Sequence, residues 1–593
     1  MSATPRGMSI QEGYREYADG NFRVNRQYQR KLVWGLDEKR RLIDSILKGY
    51  PIPLILLATR VDETGTKTYE ILDGMQRLNA VFSYIDNKYD LNGLKFNVEQ
   101  LARAKQLAEA GAFTAEQANE RLLDERSCAR LLEYTFAVTE FPAVDQAAVN
   151  EVFGRINAYG RRLSNQERRQ AGVVSPFANF IREVSSEIRG DASAESLDLA
   201  DMPQISIEAG GESLGYGVQA DDTFWVKQGI IRRSQLREAE DEQFIADLAI
   251  SILEEQAFGF SGSALDNYYQ AGTDEYININ ARLNTYGVDA LKNALISTLS
   301  IKREVIEGVD NGDRALQRCI QPAAGANPIK TGFYSIFMAF YELCIREGKS
   351  PFDSQGIMNA LANVQDRLSV AAGQIRSGPR QQNIAVVKGL IQNFFEETEP
   401  AAAQHGAGLV IRFENALRRS RIETSAFECK QGRVRLDPQR TEDPDLLNKL
   451  VQTICGIANI GPSSQGAIFI GVADNLSDRD RIQQLDHVSA LEVGNRFVVG
   501  VGRELGILNV DLERYKRQIV DHIRVSGLSD PLRSTVLSTI DCIEYRGLSV
   551  VCIWIPQQCA VSDVSDVVFV REGSSTQQIE GFRASQAVIQ RFF

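Results

Sequence analysis

Three acidic residues and one lysine in the C-terminal part of the chain have types and spacing that could cleave a phosphodiester bond. Glu428 and Lys430 are two residues apart in RIETSAFECKQGRVRL, so on a strand their side chains share one face. Glu423 precedes Glu428 by five residues, and Asp474 follows the apolar stretch AIFIGVA. Converging carboxylates bind Mg²⁺ or Mn²⁺, which turns water into a nucleophile, and a lysine stabilises negative charge on phosphate. We therefore predict all four as catalytic residues, with Glu423, Glu428 and Asp474 as the metal ligands.

A second polar cluster lies where a strand gives way to a helix in YEILDGMQRLNAVFSYI, residues 69–85. Gly74 lets backbone N–H groups approach an anion closely, and the N-terminus of the following helix favours negative charge, so the turn suits a phosphate. Arg77 could pair with that phosphate, while Asp73 could bind a bridging cation or position a water that Gln76 orients. The turn thus predicts a phosphate site with Asp73, Gln76 and Arg77 as its catalytic residues.

Both clusters also have ordinary structural interpretations. An Asp-Gly turn that caps a helix beside an exposed arginine would explain residues 73–77, and a salt-bridge group on an exposed strand would explain Glu428 and Lys430. Local charge favours phosphate ligands, because residues 22–41 hold seven basic and two acidic residues and residues 411–440 hold eight and four. The chain as a whole has a formal net charge of −12, so any nucleic-acid site must be local.

The elements that must position these residues divide the chain into four parts, and the predicted fold class is multidomain α+β. In residues 1–175, short apolar runs alternate with amphipathic segments, which predicts an α/β domain. Long segments of helical period predict a helical domain over residues 176–396. Proline, glycine and small residues predict a linker at 397–408, and strand-like runs with helices between them predict a second α/β domain at 409–593.

The following predicted helices and strands support this division of the chain. Gly49 and Pro51 end the helix predicted in GLDEKRRLIDSILKGYPIP. The other predicted helices lie at 287–309, 331–348, 383–397 and 443–461, and the predicted strands at 54–58, 68–72, 131–141, 465–475, 548–556 and 566–575.

Composition is that of a folded protein with several domains. The chain has 593 residues, 43% of them hydrophobic and 24% charged, against a usual domain size of about 150 residues. Its eight cysteines include no C-x-x-C pair and its three histidines are scattered, which argues against a zinc site and favours a reduced protein. No apolar stretch approaches the roughly 20 residues of a membrane span. The chain is therefore expected to be cytoplasmic and to have no membrane partner.

Three motifs that occur in order resemble family 262 of the domains of unknown function. They are the Q-R-x-L-V-W stretch that ends at Trp34, the D-G-x-Q-R turn at 73–77, and the F-x-R-I-N-x-x-G-x-x-L-S stretch from Phe153 to Ser164. This family forms the N-terminal half of GmrSD-type modification-dependent restriction enzymes and of phosphorothioate-sensing Ssp defence nucleases. Many members have D-G-Q-Q-R, whereas this chain has Met75, which we expect to face the core.

The resemblance implies a nucleotide site in the first 175 residues. The family belongs to the ParB/sulfiredoxin superfamily, whose members place a nucleotide phosphate at the equivalent turn, and several of them hydrolyse nucleoside triphosphates. It therefore implies a ParB/sulfiredoxin-like α/β fold, with GTP, ATP or CTP as ligand or substrate. The residues implied to bind this nucleotide are Arg30, Trp34, Gly74, Arg155, Asn157 and Gly160.

The C-terminal part resembles the Schlafen AlbA-type domain. The shared features are E-x4-E-x-K at 423–430, G-x-I-x-I-G-V-x-D at 466–474 and a late V-R-x-G-S-S-T at 570–576. In Schlafen proteins the two glutamates, the lysine and the aspartate carry metal-dependent RNA cleavage, whereas many bacterial relatives are described only as DNA-binding. This chain departs from the pattern at 457–472, where Pro462 and two serines lengthen a loop that is compact in many relatives.

Taken together, the residues and the resemblances predict an anti-phage or restriction-type defence protein. A nucleotide-binding and nucleotide-hydrolysing N-terminal domain would control a C-terminal metal-dependent nuclease that acts on foreign or modified DNA, or on RNA. One alternative is a nucleotide-gated regulator that binds DNA without cleaving it. Another makes the N-terminal domain the nuclease and the C-terminal domain a reader. A homo-oligomer is compatible with each of these.

Overall fold

In the computed structural model, the chain forms two compact units, Met1–Gly406 and Ala407–Phe593. The predicted division into four parts stays a prediction. No helix among the described residues is long and apolar enough to cross a membrane. The structure describes residues 3–26, 31–61, 67–109, 113, 121–142, 149, 152, 164–170, 173, 175–191, 196–208, 216–325, 327–369, 376–398, 408–420, 425–462, 464–579, 586 and 588–592.

The first unit contains a mixed six-stranded sheet with strand order β1-β7-β3-β4-β2-β8. Within it, β3 pairs antiparallel with β4 and parallel with β7, and β2 pairs parallel with β4. The strands of this unit are β1 (Thr4–Ser9), β2 (Phe22–Asn25), β3 (Ile55–Val61), β4 (Lys67–Asp73), β5 (Leu94–Lys95), β6 (Arg121–Leu122), β7 (Thr135–Pro142), β8 (Ser196–Asp198), β9 (Ile207–Glu208), β10 (Val218–Gln219), β11 (Ser350–Pro351) and β12 (Phe395–Glu396).

Helices pack on the sheet and make up most of the rest of the first unit. They are α1 (Ile10–Ala18), α2 (Leu36–Leu47), α3 (Met75–Ile85), α4 (Ala102–Glu109), α5 (Glu125–Glu133), α6 (Asn165–Gln170), α7 (Pro176–Arg189), α8 (Phe224–Lys227), α9 (Arg233–Arg237), α10 (Glu240–Leu253), α11 (Gly262–Asn267), α12 (Asp274–Tyr286), α13 (Val288–Val309), α14 (Ala315–Ile320), α15 (Lys330–Tyr341), α16 (Ser354–Leu361) and α17 (Ser377–Ile391). A π-helical turn, Glu342–Arg346, continues α15.

Helix α3 occupies the centre of the N-terminal core, which explains why its sequence is apolar on nearly all sides. Leu78, Phe82 and Ile85 are fully buried, in one cluster with Ile55 and Leu57 of β3. The intervening side chains of β3, those of Leu56 and Ala58, belong to a smaller cluster, as expected when successive residues of a strand point to opposite faces. The strand, turn and helix from β4 to α3 are therefore anchored in a buried core.

The second unit is built around a four-stranded sheet of order β13-β14-β19-β18. Its strands are β13 (Phe427–Lys430), β14 (Gly466–Ile470), β15 (Val472–Ala473), β16 (Leu491–Val493), β17 (Arg496–Val498), β18 (Ile540–Tyr545), β19 (Leu548–Ile555), β20 (Phe569–Glu572) and β21 (Ser575–Gln578). Its helices are α18 (Gly408–Arg419), α19 (Leu446–Ala458), α20 (Leu476–Asp486), α21 (Gly502–Leu508), α22 (Leu512–Val525) and α23 (Leu532–Leu537).

Alternation along β14 produces an α/β/α sandwich. Ile468 and Ile470 pack into the cluster that contains helices α19 and α22, whereas Ala467 and Phe469 pack against α18 on the opposite face. The continuous apolar run in this part of the sequence is thus a strand that is buried on both sides. The edge strand β13 runs parallel to β14, which places the end of β13 beside the start of β15.

Candidate functional site

Strand β13 carries two of the predicted catalytic residues on one face. Phe427 and Cys429 are buried against α18, while Glu428 and Lys430 alternate with them and are only partly buried. The Lys430 Nζ lies 2.6 Å from Glu428 Oε1. The predicted same-face arrangement of Glu428 and Lys430 is therefore confirmed, and these two residues form an ion pair.

Asp474 follows β15 and lies in the electrostatic neighbourhood of this pair. Burial raises the pKa of the Asp474 carboxyl above its ordinary value; Arg496 opposes this rise, and the negative charge of Glu428 adds to it. Arg496 Nη1 lies 2.7 Å from Asp474 Oδ1 and also donates to the Asp474 carbonyl oxygen at 3.2 Å. The fold thus brings Glu428, Lys430 and Asp474 into one charged cluster, although 44 residues of sequence separate Lys430 from Asp474.

Arg571 is a member of this cluster that sequence reasoning missed. Its guanidinium donates from Nη2 to Glu428 Oε2 at 2.8 Å, from Nε to the Ser425 carbonyl at 3.1 Å, and from Nη1 to Thr576 Oγ1 at 3.0 Å. The side chain is 1% exposed. Arg571 lies inside the V-R-x-G-S-S-T stretch at 570–576, so a signal for it was present in the sequence.

The hairpin β20–β21 carries Arg571 to the sheet because it packs on helix α19. Thr576 Oγ1 lies 3.2 Å from Thr453 Oγ1 of that helix. A Cβ at Gly456 would lie 3.3 Å from Thr576 and 3.4 Å from the Val570 carbonyl carbon, so the glycine permits close approach. The described cluster, which we call the acidic-basic site, consists of Glu428, Lys430, Asp474, Arg496 and Arg571.

The acidic-basic site offers donors for both a cation and a phosphodiester. Glu428 and Asp474 supply carboxylate oxygens, the ligands that Mg²⁺ and Mn²⁺ prefer. The third predicted metal ligand, Glu423, lies outside the described residues. Among those that are described, no group of three His, Cys, Asp or Glu residues could hold a metal ion. Three cations surround the two carboxylates, so the described site carries a positive balance that favours phosphate oxygens.

The predicted phosphate turn lies at the end of β4. Gly74 has φ of 104° and forms the N-cap of α3, and Met75 behind it is buried, as expected. The Asp73 side chain is 51% exposed, and Arg77 Nη2 donates to Asp73 Oδ2 at 2.7 Å. Arg77 Nη1 also donates to the carbonyl oxygens of Pro53 and Leu54 at 2.6 and 2.8 Å. The turn therefore presents an accessible carboxylate beside a guanidinium whose position is fixed.

Gln76 holds the segment that contains Trp34 in place through three hydrogen bonds. Its Oε1 accepts from the backbone N–H groups of Val33 and Trp34 at 3.1 and 3.2 Å, and its Nε2 donates to the Lys31 carbonyl at 3.1 Å. The side chain of Lys31 is also held, because its Nζ donates to the carbonyl oxygen of Leu236 at 2.8 Å. The water-orienting role predicted for Gln76 stays a prediction, and the structure adds a positioning role for its amide.

Four of the residues implied to bind nucleotide lie outside the described part of the chain. These are Arg30, Arg155, Asn157 and Gly160. Trp34 is described and half-buried against the N-terminal core. The assembly of a complete nucleotide site at 73–77 therefore stays a prediction.

Comparison with known families places this turn in context. Residues 11–173 match the GmrSD restriction endonuclease N-terminal domain. The matched stretch contains strands β3 and β4, helix α3 and the turn between them. The match supports a restriction-defence domain in this part of the chain. A search of curated proteins found no match.

A solved structure gives a weaker likeness. It is the crystal structure of the DIP2311 protein from Corynebacterium diphtheriae, which is 17% identical over 27% of this chain and 23% of that chain, with a TM-score of 0.17. A score of this size carries no argument about fold or function.

Proposed function

We propose that this chain is a restriction-type defence protein whose second unit cleaves nucleic acid at the acidic-basic site. The observation that supports the proposal is the meeting of Glu428, Lys430 and Asp474 with two arginines from other segments. This order of residues is also what the resemblance to the Schlafen AlbA-type domain implies. The match of residues 11–173 to a restriction endonuclease family favours DNA as the nucleic acid.

Four residues of the acidic-basic site have roles that follow from their charge and position. Glu428 and Asp474, with Glu423 as a third ligand, would hold Mg²⁺ or Mn²⁺. When bound, a divalent cation supplies a water of lowered pKa and neutralises charge on the scissile phosphate. Lys430 binds a phosphate oxygen and stabilises the developing negative charge. Arg571 orients Glu428 through their shared hydrogen bond.

The proposal assigns nucleotide binding and hydrolysis to the turn at 73–77. A triphosphate would place its phosphates at the N-terminus of α3, with Arg77 as the pairing cation. Asp73, whose carboxylate is accessible, would position a water or a bridging cation. Nucleotide turnover would then control cleavage by the second unit, in the manner that the N-terminal family resemblance implies.

Cleavage by the purified full chain tests the proposal. We expect labelled DNA or RNA to be cut in Mn²⁺ and not in chelator, and Glu428→Gln or Lys430→Gln to lower the rate at least about 100-fold, as loss of a charge-stabilising group does. Glu513→Gln is the control, because Glu513 is an exposed carboxylate of the same unit that pairs with Arg517 four residues away. Cleavage that is unchanged in Glu428→Gln would reject the assignment.

Triphosphate turnover is measured on the same preparations. Asp73→Ala and Arg77→Ala should abolish turnover, whereas Glu428→Gln should leave it intact. Loss of nucleic-acid cleavage in Asp73→Ala at saturating metal, together with full cleavage in Glu428→Gln, would instead assign the nuclease to the N-terminal part.

A second candidate function is a nucleotide-gated regulator that binds DNA without cleaving it. One observation favours it: both described carboxylates of the site are already engaged in ion pairs with Lys430, Arg571 and Arg496. Such pairing holds the three cations in position on a surface that can bind a phosphodiester. Binding of DNA that needs no divalent metal and yields no product would support this candidate over the nuclease.

A further inference from the structure

The first unit contains a cavity of about 440 Å³ whose walls are unusually basic for an acidic protein. The cavity lies between helices α8, α9 and α14, outside residues 11–173. Its cationic lining residues are Lys227, Arg232, Arg233 and Arg314, and its acidic ones are Asp221 and Asp313. We call this feature the basic cavity.

Two cations of the basic cavity contact only neutral oxygen atoms. Lys227 Nζ donates to Asn311 Oδ1 at 3.3 Å, and Arg314 Nη1 donates to the Gly325 carbonyl at 3.2 Å. Neither forms an ion pair with a carboxylate of the described residues. The acid Asp221 is already paired with Arg233. With four cations against the two acids Asp221 and Asp313, the lining keeps a net positive charge that attracts an anion.

The wall that holds these cations is cross-linked through its backbone. The Arg314 N–H donates to the Lys227 carbonyl at 2.6 Å, which ties the two cations together. Arg314 itself has φ of 57°, a conformation that residues other than glycine rarely adopt. A Cβ on Gly229 would lie 2.6 Å from Gln317 Oε1, so only glycine lets the neighbouring walls approach this closely. These contacts fix the backbone from which the Lys227 and Arg314 side chains extend, and Arg314 itself is exposed to a ligand.

The lining chemistry selects phosphate groups and not bases. The apolar lining residues are Val226, Ile231 and Pro328, and none of the described lining residues is aromatic. Base stacking on the protein therefore contributes nothing, whereas guanidinium and ammonium groups in a concavity attract phosphate oxygens. Binding of this kind is independent of sequence.

We propose that the basic cavity binds backbone phosphate of the nucleic-acid strand that this protein acts on. The inference rests on the proposed function, because it takes nucleic acid as the partner. It adds a contact in the first unit that involves neither the turn at 73–77 nor the acidic-basic site. The cavity would raise affinity for any strand and would leave the choice of target to other residues.

The test is DNA binding by the full chain in chelator, measured by fluorescence anisotropy at several salt concentrations. The double variant Lys227→Gln/Arg314→Gln should bind DNA at least about 10-fold more weakly. The slope of the logarithm of its binding constant against the logarithm of salt concentration should be smaller in magnitude by about 1 to 2, because each lost phosphate contact removes roughly 0.9. The control Lys349→Gln/Arg367→Gln removes the same charge from the first unit outside the cavity and should bind like the parent. Equal affinity and salt dependence in both double variants would overturn the proposal.

Two further arms keep the result interpretable. Arg314→Lys conserves the charge and should retain most of the affinity, which separates charge from folding; a loss as large as that of the double variant would contradict the proposal. A nucleoside monophosphate or inorganic phosphate at millimolar concentration should not displace DNA; displacement at micromolar concentration would assign the cavity to a free phosphate ligand instead. Because binding is measured in chelator, failure of cleavage at Glu428 leaves this test unaffected.

Discussion

Arg571 donates to the Glu428 carboxylate, and its removal would leave this partly buried charge with Lys430 as its remaining described ion-pair partner. We expect Arg571→Met to lower the free energy of unfolding of the second unit by roughly 2 kcal/mol, the usual cost of losing a hydrogen bond to a charged group. Arg571→Lys keeps the charge but loses the planar guanidinium that donates to Ser425 and Thr576, so its loss of unfolding free energy should be intermediate. Urea denaturation measures both. Arg517→Met, in an exposed pair, should cost less than about 0.5 kcal/mol; equal losses at 571 and 517 would show that Arg571 orients nothing.

Asp86 gives the first unit a dependence of stability on pH. Tyr14 and Tyr17 donate hydrogen bonds to its carboxylate at 2.5 and 3.2 Å, yet burial raises the pKa of Asp86 from 3.8 to about 6. Between these two values the folded state binds more protons than the unfolded state, so stability falls as the pH rises from about 4 to about 6.

Comparison with Asp86→Asn isolates this effect. From pH 4 to pH 7 the parent should lose roughly 2 kcal/mol relative to the variant, since one pKa unit corresponds to about 1.4 kcal/mol and part of the shift lies below pH 4. Thermal unfolding of both proteins across this range provides the measurement. Parallel stability curves would mean that Asp86 does not hold its proton in the folded state.

At the residue scale, the sequence predicted the pair on β13 but not its partners. Glu428 and Lys430 follow from the two-residue period of a strand, which is a local property. Arg571 reaches Glu428 across 143 residues, and that contact depends on how the hairpin β20–β21 packs on α19. No spacing rule predicts such a contact, although the motif around Arg571 marked the region.

The turn between β4 and α3 is the element on which the N-terminal site depends. Gly74 combines a left-handed backbone with close packing, because an added Cβ would lie 3.0 Å from Ile55 Cγ1. Gly49 also has a positive φ of 74°, but nothing lies within 4 Å of the position of its Cβ. We expect Gly74→Ala to lower the free energy of unfolding by roughly 2 kcal/mol or more and Gly49→Ala by about 1 kcal/mol.

The difference between these two variants measures the packing against Ile55, since both share the backbone strain. Chemical denaturation of the first unit gives the two values. If Gly49→Ala lowers the free energy of unfolding as much as Gly74→Ala does, the close approach to Ile55 contributes nothing to stability. Triphosphate turnover in Gly74→Ala would then report on the geometry of the turn alone.

Elements with long, regular patterns were predicted well. The helix in 35–53 is α2, and the helices predicted at 287–309 and 443–461 are α13 and α19. The strand predicted at 131–141 was wrong in its first part, where α5 extends to Glu133 before β7 begins at Thr135. Cys128, Leu131 and Leu132 recur at helical spacing, and Asp124 caps the helix. The prediction gave more weight to the alternating stretch that follows, and so it assigned residues 131–133 to the strand.

A strand break in the second unit had a tertiary cause. The stretch predicted as one strand at 465–475 divides into β14 and β15 at Gly471, which has φ of 106°. There an added Cβ would lie 3.2 Å from the backbone of Gly500, so the chain bends where two backbones approach. This bend turns Asp474 toward Arg496 and the end of β13. Gly471 inside the apolar run was a sign of this break, because an isolated glycine in a strand pattern often marks close backbone approach, but the partner Gly500 does not follow from the sequence.

For the whole molecule, net charge is a poor guide to where nucleic acid binds. The chain is acidic overall at −12, yet three cations flank the acidic-basic site and four line the basic cavity. Two local surfaces in separate compact units thus suit phosphate, as the basic composition of 411–440 indicated for the second unit. The basic cavity had no counterpart in the predictions, because its cations come from segments whose proximity only the helical packing creates.

The central claim is that Glu428 and Asp474 together hold a divalent cation. Titration of the full chain with Mn²⁺, followed by electron paramagnetic resonance, tests it without any assumption about substrate. We expect a site in the parent that weakens at least about 10-fold in both Glu428→Gln and Asp474→Asn and stays unchanged in Glu513→Gln. Identical Mn²⁺ binding by the parent and both site variants would contradict the claim, and would leave the acidic-basic site as a surface that binds nucleic acid without cleaving it.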